Sequence, residues 1–131
     1  MMDWVDDVID SFGQAAGMPG LRLDEQGCLS FMVEGERQLT LIDLAQSGGD
    51  EVLVIVQAPL PQPQSMSMRA ALQLADFRSG LGDPPQVALD GDQLVATLRI
   101  ARSSFLSSTL DEAVDTLFKF HERVAHAGSA A

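Results

Sequence analysis

The residues best suited to chemistry are few, and their spacing argues against a catalytic centre. His121 and His126 lie five apart, where helix-borne metal ligands sit at i and i+4. A single cysteine, Cys28, leaves no structural zinc set and no intrachain disulfide. The sequence around it offers no basic neighbour to lower a thiol pKa, so Cys28 reads as a small packing residue of a strand. His121 reads as a partly buried helix residue, and His126 as a favourable partner for a helix C-terminus. Gly80-Leu81-Gly82 runs into Asp83-Pro84-Pro85, without the third glycine and helix of a nucleotide fingerprint. Ser103, Ser104, Ser107 and Ser108 lack a nucleophile elbow, and Asp90 and Asp92 lack the rest of a calcium loop. The expectation is a protein that is not an enzyme and needs neither metal nor cofactor.

What remains is apolar surface, and its placement follows from the elements. Val5, Val8, Ile9, Phe12 and Ala16, with Trp4, recur at helical spacing between Asp3, Asp6, Asp7 and Asp10, an amphipathic first helix over 2–16. Its early aspartates suit the positive end of the helix dipole. Gly17 and the Met-Pro-Gly after it end the helix, and Asp24-Glu25-Gln26-Gly27 is a turn. Three short runs follow, Cys28–Glu34, Gln38–Leu44 and Glu51–Ala58, divided by Gly/Asp/Ser punctuation. Loops this short fit antiparallel neighbours and leave no room for parallel crossovers. Leu29, Phe31 and Val33 share one face of the first strand. The third strand is apolar on both faces, which predicts a central position.

Pro59, Pro61 and Pro63 cannot continue a ladder and form a connector. A second helix over 66–77 is unusually apolar and suggests burial on more than one side. Asp90-Gly91-Asp92 between Val87–Leu89 and Leu94–Ala101 signals a hairpin, with Leu94, Ala96, Leu98 and Ile100 on one face. A last helix begins near Thr109, whose spacing to Glu112 fits a capping box, and runs to about Ala127. The order α-β-β-β-α-β-β-α predicts one α+β domain over 1–127, with an antiparallel sheet of about five strands, three helices and a frayed tail over 128–131.

The charge narrows the partners. Nineteen acids oppose 8 bases, for a net charge of −11, and up to Leu60 eleven acids face only Arg22 and Arg37. Such a surface repels nucleic acid and anionic membranes, and suits a basic partner. The acidic N-terminus is unlike a secretory signal and no apolar run is long enough to span a membrane, so a cytoplasmic location is expected. Methionine and tryptophan in excess of an obvious core suit adaptable protein-binding surfaces.

Leu21-x-Leu23-Asp24-x-x-Gly27-x-Leu29, then Leu39-x-Leu41, then Val52-x-Val54 leading to Ala58-x-Leu60, resembles the class I type III secretion chaperones. So do the Ala70–Phe77 helix, the Val87-Ala-Leu89-Asp-Gly-Asp-x-Leu94 hairpin, and Leu106-Ser107 through Asp111 into Leu117-x-x-Phe120. The similarity runs from about Val5 to Ala125 and departs at Asp76-Phe77, where the family pattern favours asparagine. The resemblance implies a homodimeric, ATP-independent bacterial chaperone that holds the N-terminal segment of one or more secreted effectors in extended form. Client contacts would fall on Trp4, Val8, Phe12, Leu29, Phe31 and Val33, and dimer contacts on Met66, Met68, Leu72 and Ala75. A small sensor or adaptor domain that binds a folded regulatory protein is the alternative.

Overall fold

The computed structural model describes residues 4–33, 36–60, 64–75 and 85–129. Helix α1 spans Trp4–Ala15 and is followed by strands β1 (Cys28–Val33), β2 (Arg37–Asp43) and β3 (Glu51–Pro59). Helix α2 (Gln64–Leu74) precedes the hairpin of β4 (Gln86–Asp90) and β5 (Gln93–Ala101), and α3 (Ser107–Ser129) closes the chain. The five strands form one sheet in the order β1-β2-β3-β5-β4, with every neighbouring pair antiparallel. β3 is central, as its two apolar faces predict. Departure Asp76-Phe77 and the Gly80–Gly82 loop lie outside the described residues.

Strand alternation sorts the sheet into two faces. Leu39 and Leu41 of β2, Val52, Val54 and Val56 of β3, and Leu94 and Ala96 of β5 are buried beneath the helices. They meet Val5 and Ile9 of α1 and Leu110, Leu117, Phe120 and Val124 of α3 in one core. Each Val, Leu, Ile or Phe among them contributes about 1.5–3 kcal/mol on burial. The opposite face carries Ser30, Thr40, Ile55 and Thr97 in one cross-strand row, with Ile42 and Leu53 beside it. These residues are exposed or half-buried, so the second cover that β3 invites is not supplied by a described element.

Several turns form for local reasons. Asp24 accepts from Gln26 N–H and Cys28 N–H at 2.8 and 2.9 Å, and Gly27 takes φ 81° to complete the turn. A Cβ at Gly27 would lie 2.8 Å from the Asp43 carbonyl oxygen, so this turn admits only glycine without movement. The β4–β5 hairpin turns at Gly91, with Asp90 paired to Gln93.

Helix boundaries shift by small amounts. α2 begins at Gln64, two residues before the expected start, and α3 extends to Ser129. The expected capping box at Thr109 is not formed. α3 starts at Ser107, so Thr109 lies inside its first turn, and its hydroxyl accepts from the Leu106 N–H at 2.8 Å. Thr109 thereby fills the reciprocal role that the box gives to a glutamate three residues into the helix.

Candidate functional site

The sheet has two edges, and the β1 edge lies beside an apolar cavity. Hydrogen bonds at the start of β1 fix which backbone groups face outward. Gly27 C=O accepts from Asp43 N–H at 2.8 Å, whereas Cys28 C=O accepts from Asp24 N–H at 2.8 Å. In an antiparallel ladder the sense alternates by residue. Leu29, Phe31 and Val33 therefore bond to Leu41, Leu39 and Arg37 across the ladder. Ser30 and Met32 turn their N–H and C=O groups out, away from β2. Cys28 is already satisfied by Asp24, so the free edge amounts to the outward groups of these two residues. Met32 is 57% exposed, and the Ser30 hydroxyl is tied sideways to Thr40 at 2.7 Å.

Under that edge Phe31 and Val33, with Leu39 of β2, form the floor of a cavity of about 230 Å³. Phe12, Ala16 and Met18 make one wall, and Val114 and Phe118 of α3 make the other. This volume exceeds the roughly 150 Å³ of an apolar cavity that accepts benzene, so a large aliphatic or aromatic side chain fits. Asp111 and Asp115 stand at its α3 side.

The walls are positioned by backbone geometry. Gly17 at φ 76° reverses the chain after α1, and Met18 N–H bonds back to Gly13 C=O at 2.7 Å. Close approach there requires the missing side chain of Gly13, since a Cβ would lie 2.6 Å from the Met18 carbonyl oxygen and 2.8 Å from Leu21 Cδ1. On the other wall the Arg37 guanidinium lies 5.6 Å over the Phe118 ring and pairs with Glu122 at 3.6 Å. Asp115 is engaged by Lys119 at 2.9 Å. Asp111 has no hydrogen bond or ion pair among the described residues.

The structure brings together three of the six residues expected to contact a client, Phe12, Phe31 and Val33. Val8 and Leu29 are half-buried and pack against the core outside the cavity lining. Trp4 stands eight residues before Phe12, about 12 Å away along the helix axis. Its indole N–H donates to the Arg102 C=O at 3.2 Å, and its ring lies 4.4 Å from the Arg102 guanidinium. Arg102 in turn grips Asp43 with two bonds of 2.9 and 3.2 Å. Trp4 is 47% exposed, so one part of its ring still faces outward from this clamp. Met18, Val114 and Phe118 line the cavity without having been expected as client contacts. Spacing puts Val114 on the apolar stripe of the last helix, with Leu110, Leu117 and Val124, and Phe118 beside it, but Met18 carries no local signal.

The second and larger cavity, about 550 Å³, lies between β5 and α3. β4 pairs with β5 only as far as Thr97, and Leu98 to Ala101 line this cavity with Thr109, Glu112 and Thr116. Its lining mixes polar and apolar groups. Among the described residues no group of three or more His, Cys, Asp or Glu is placed to hold a metal ion. No helix among them is long and apolar enough to cross a membrane.

No family model matches the sequence, and no curated protein matches it. Solved structures do. A chain of the HopA1–SchA chaperone–effector complex superposes with a TM-score of 0.72 at 21% identity, over 97% of this chain and 100% of that one. The type III secretion chaperone SycH of Yersinia pestis, solved with a fragment of YscM2, gives 0.70 at 16% identity, over 92% and 98%. The ExoU–SpcU complex of Pseudomonas aeruginosa gives 0.63 at 22% identity, over 91% and 96%. The chain has the fold of the type III secretion chaperones. The α+β architecture that the sequence resemblance implies is thus the observed one.

Proposed function

We propose that this protein is a secretion chaperone that binds the N-terminal segment of a secreted effector as an added strand along β1. The observation that carries the reading is the juxtaposition of an open strand edge with an apolar cavity of about 230 Å³. Main-chain bonds to Ser30 and Met32 supply sequence-tolerant affinity, and the cavity of Phe12, Phe31 and Val33 selects an apolar anchor. SycH and SchA, which share the fold, were solved with bound partners named as a fragment of YscM2 and an effector. Ordering an extended segment costs conformational entropy, so a continuous contact surface is required, which an edge plus a cavity provides. Binding of this kind is an equilibrium and uses neither ATP nor catalysis. The place of action on this reading is the bacterial cytoplasm, before export.

The chaperone is further proposed to be a homodimer through α2. Ser65, Met66, Arg69, Leu72 and Gln73 form the exposed side of that helix, with Met66 39% and Leu72 55% exposed. Met68 and Ala75 lie at its margin and are half-buried against the chain's own core. The apolar part of a dimer contact on this helix is therefore Met66 and Leu72, with Met68 and Ala75 at its border.

Met32→Pro tests the edge directly. Proline removes the outward N–H at Met32 and leaves the β1–β2 ladder intact, a substitution that edge strands tolerate. Co-expression with the secreted protein encoded beside this gene should yield a complex with the parent chain. The variant should lose at least tenfold in affinity with an unchanged circular dichroism spectrum. A folded Met32→Pro protein that binds as well as the parent would remove the added strand from the account.

A further inference from the structure

The client-docking cavity is apolar on its floor and anionic on one rim, and the cation that rim faces is absent among the described residues. Asp111 and Asp115 both line it from α3. Asp115 is matched by Lys119, and Arg37 on the same wall is occupied by Glu122 and the Phe118 ring. Asp111 is exposed and has no ion pair among the described residues. The turn leading into β1 adds Asp24 and Glu25, both exposed, against Arg22. A chain of net charge −11 thus presents its apolar anchor site within a predominantly negative field.

Resting on the docking reading above, we propose that the segment bound along β1 is cationic, with a lysine or arginine two positions from the apolar side chain that enters the cavity, where an added strand turns both side chains toward α3. The anchor would fill the space between Phe12 and Phe118. The stem of this same-face basic residue would lie over Val114 and bring its charge to Asp111, the arrangement long cationic side chains adopt over apolar surface. A glutamate or aspartate at that position would meet Asp111 and be excluded by like-charge repulsion, so the rim selects as well as attracts.

Twin acetylated twelve-residue peptides separate this inference from the docking reading. Both carry leucine at alternating central positions with serine between, and one carries lysine and the other glutamate at the next same-face position, two residues beyond the last leucine. Titration against the intact protein should show the lysine peptide binding about three- to tenfold more tightly, the range of a rim charge contact. The gap should narrow as salt is raised. Asp111→Asn should reduce the gap while leaving the affinity of an uncharged glutamine peptide unchanged, and Met32→Pro should weaken all of them. Equal binding of the lysine and glutamate peptides would overturn the cationic preference and leave the docking edge standing. Failure of every peptide to bind would overturn both.

Discussion

Asp43, Arg102 and Trp4 show how one buried carboxylate organises three elements. Asp43 ends β2, accepts from Ala45 N–H at 3.1 Å to start the following 3-10 turn, and receives the Arg102 fork. Arg102 then carries Trp4 at the head of α1. Asp43→Asn replaces the charged acceptor of both Arg102 bonds with a neutral amide and should cost about 1–3 kcal/mol, read as a lower thermal midpoint. The sequence placed Trp4 on a binding helix face, but its bond to Arg102 spans 98 positions and no local pattern encodes it. His121 is the second residue with a tertiary role. It is buried, and its Nε2–H donates to Val56 C=O at 2.8 Å, joining α3 to the central strand. Burial, together with the charge of Arg37, lowers its pKa below the ordinary 6.5. The folded state therefore favours neutral imidazole. Its contribution is complete above about pH 6.5 and is lost as pH falls from there toward the lowered value. Urea midpoints of the parent should decline over that interval more steeply than those of His121→Gln; parallel curves would remove His121 from the pH response.

At the level of elements, the strands were legible because their apolar runs are short and bounded by turn residues, and burial alternates along β2, β3 and the first half of β5. Leu39 and Leu41, or Leu94 and Ala96, face inward as their parity requires, and β3 is central because its sequence lacks a polar face. The edge was less legible. Which backbone groups of β1 are free depends on Asp24 satisfying Cys28, a bond that sets the parity of Ser30 and Met32. The cavity wall at Met18 was illegible for a similar reason, since it exists only because the chain folds back over Gly13. Gly13→Ala puts a methyl against the Met18 carbonyl and Leu21, and should destabilise by about 1–3 kcal/mol. It should also weaken client binding beyond that loss of fold, because it displaces the Met18 rim. Calorimetric unfolding and peptide titration on the same sample distinguish the two effects. Client affinity unchanged at a lowered melting temperature would mean that Met18 is not part of the site.

For the whole molecule, the five-stranded sheet is covered on one face by α1 and α3, and two of the features left without a described partner are the outer side of α2 and the β1 edge. If α2 forms the dimer contact, light scattering should give a mass near twice the 14.0 kDa of one chain. Leu72→Asp should shift it toward the monomer without unfolding α3 or the sheet. A parent mass near 14.0 kDa would exclude the dimer. The central claim concerns the other feature, and amide hydrogen exchange reads it group by group. Ser30 and Met32 point outward and should exchange quickly in the free protein, while Leu29 and Phe31, bonded to β2, are protected. Adding the N-terminal segment of the secreted partner should slow exchange at Ser30 and Met32 by at least tenfold. Binding that leaves these two amides as fast as before, with protection appearing elsewhere, would contradict strand addition at β1.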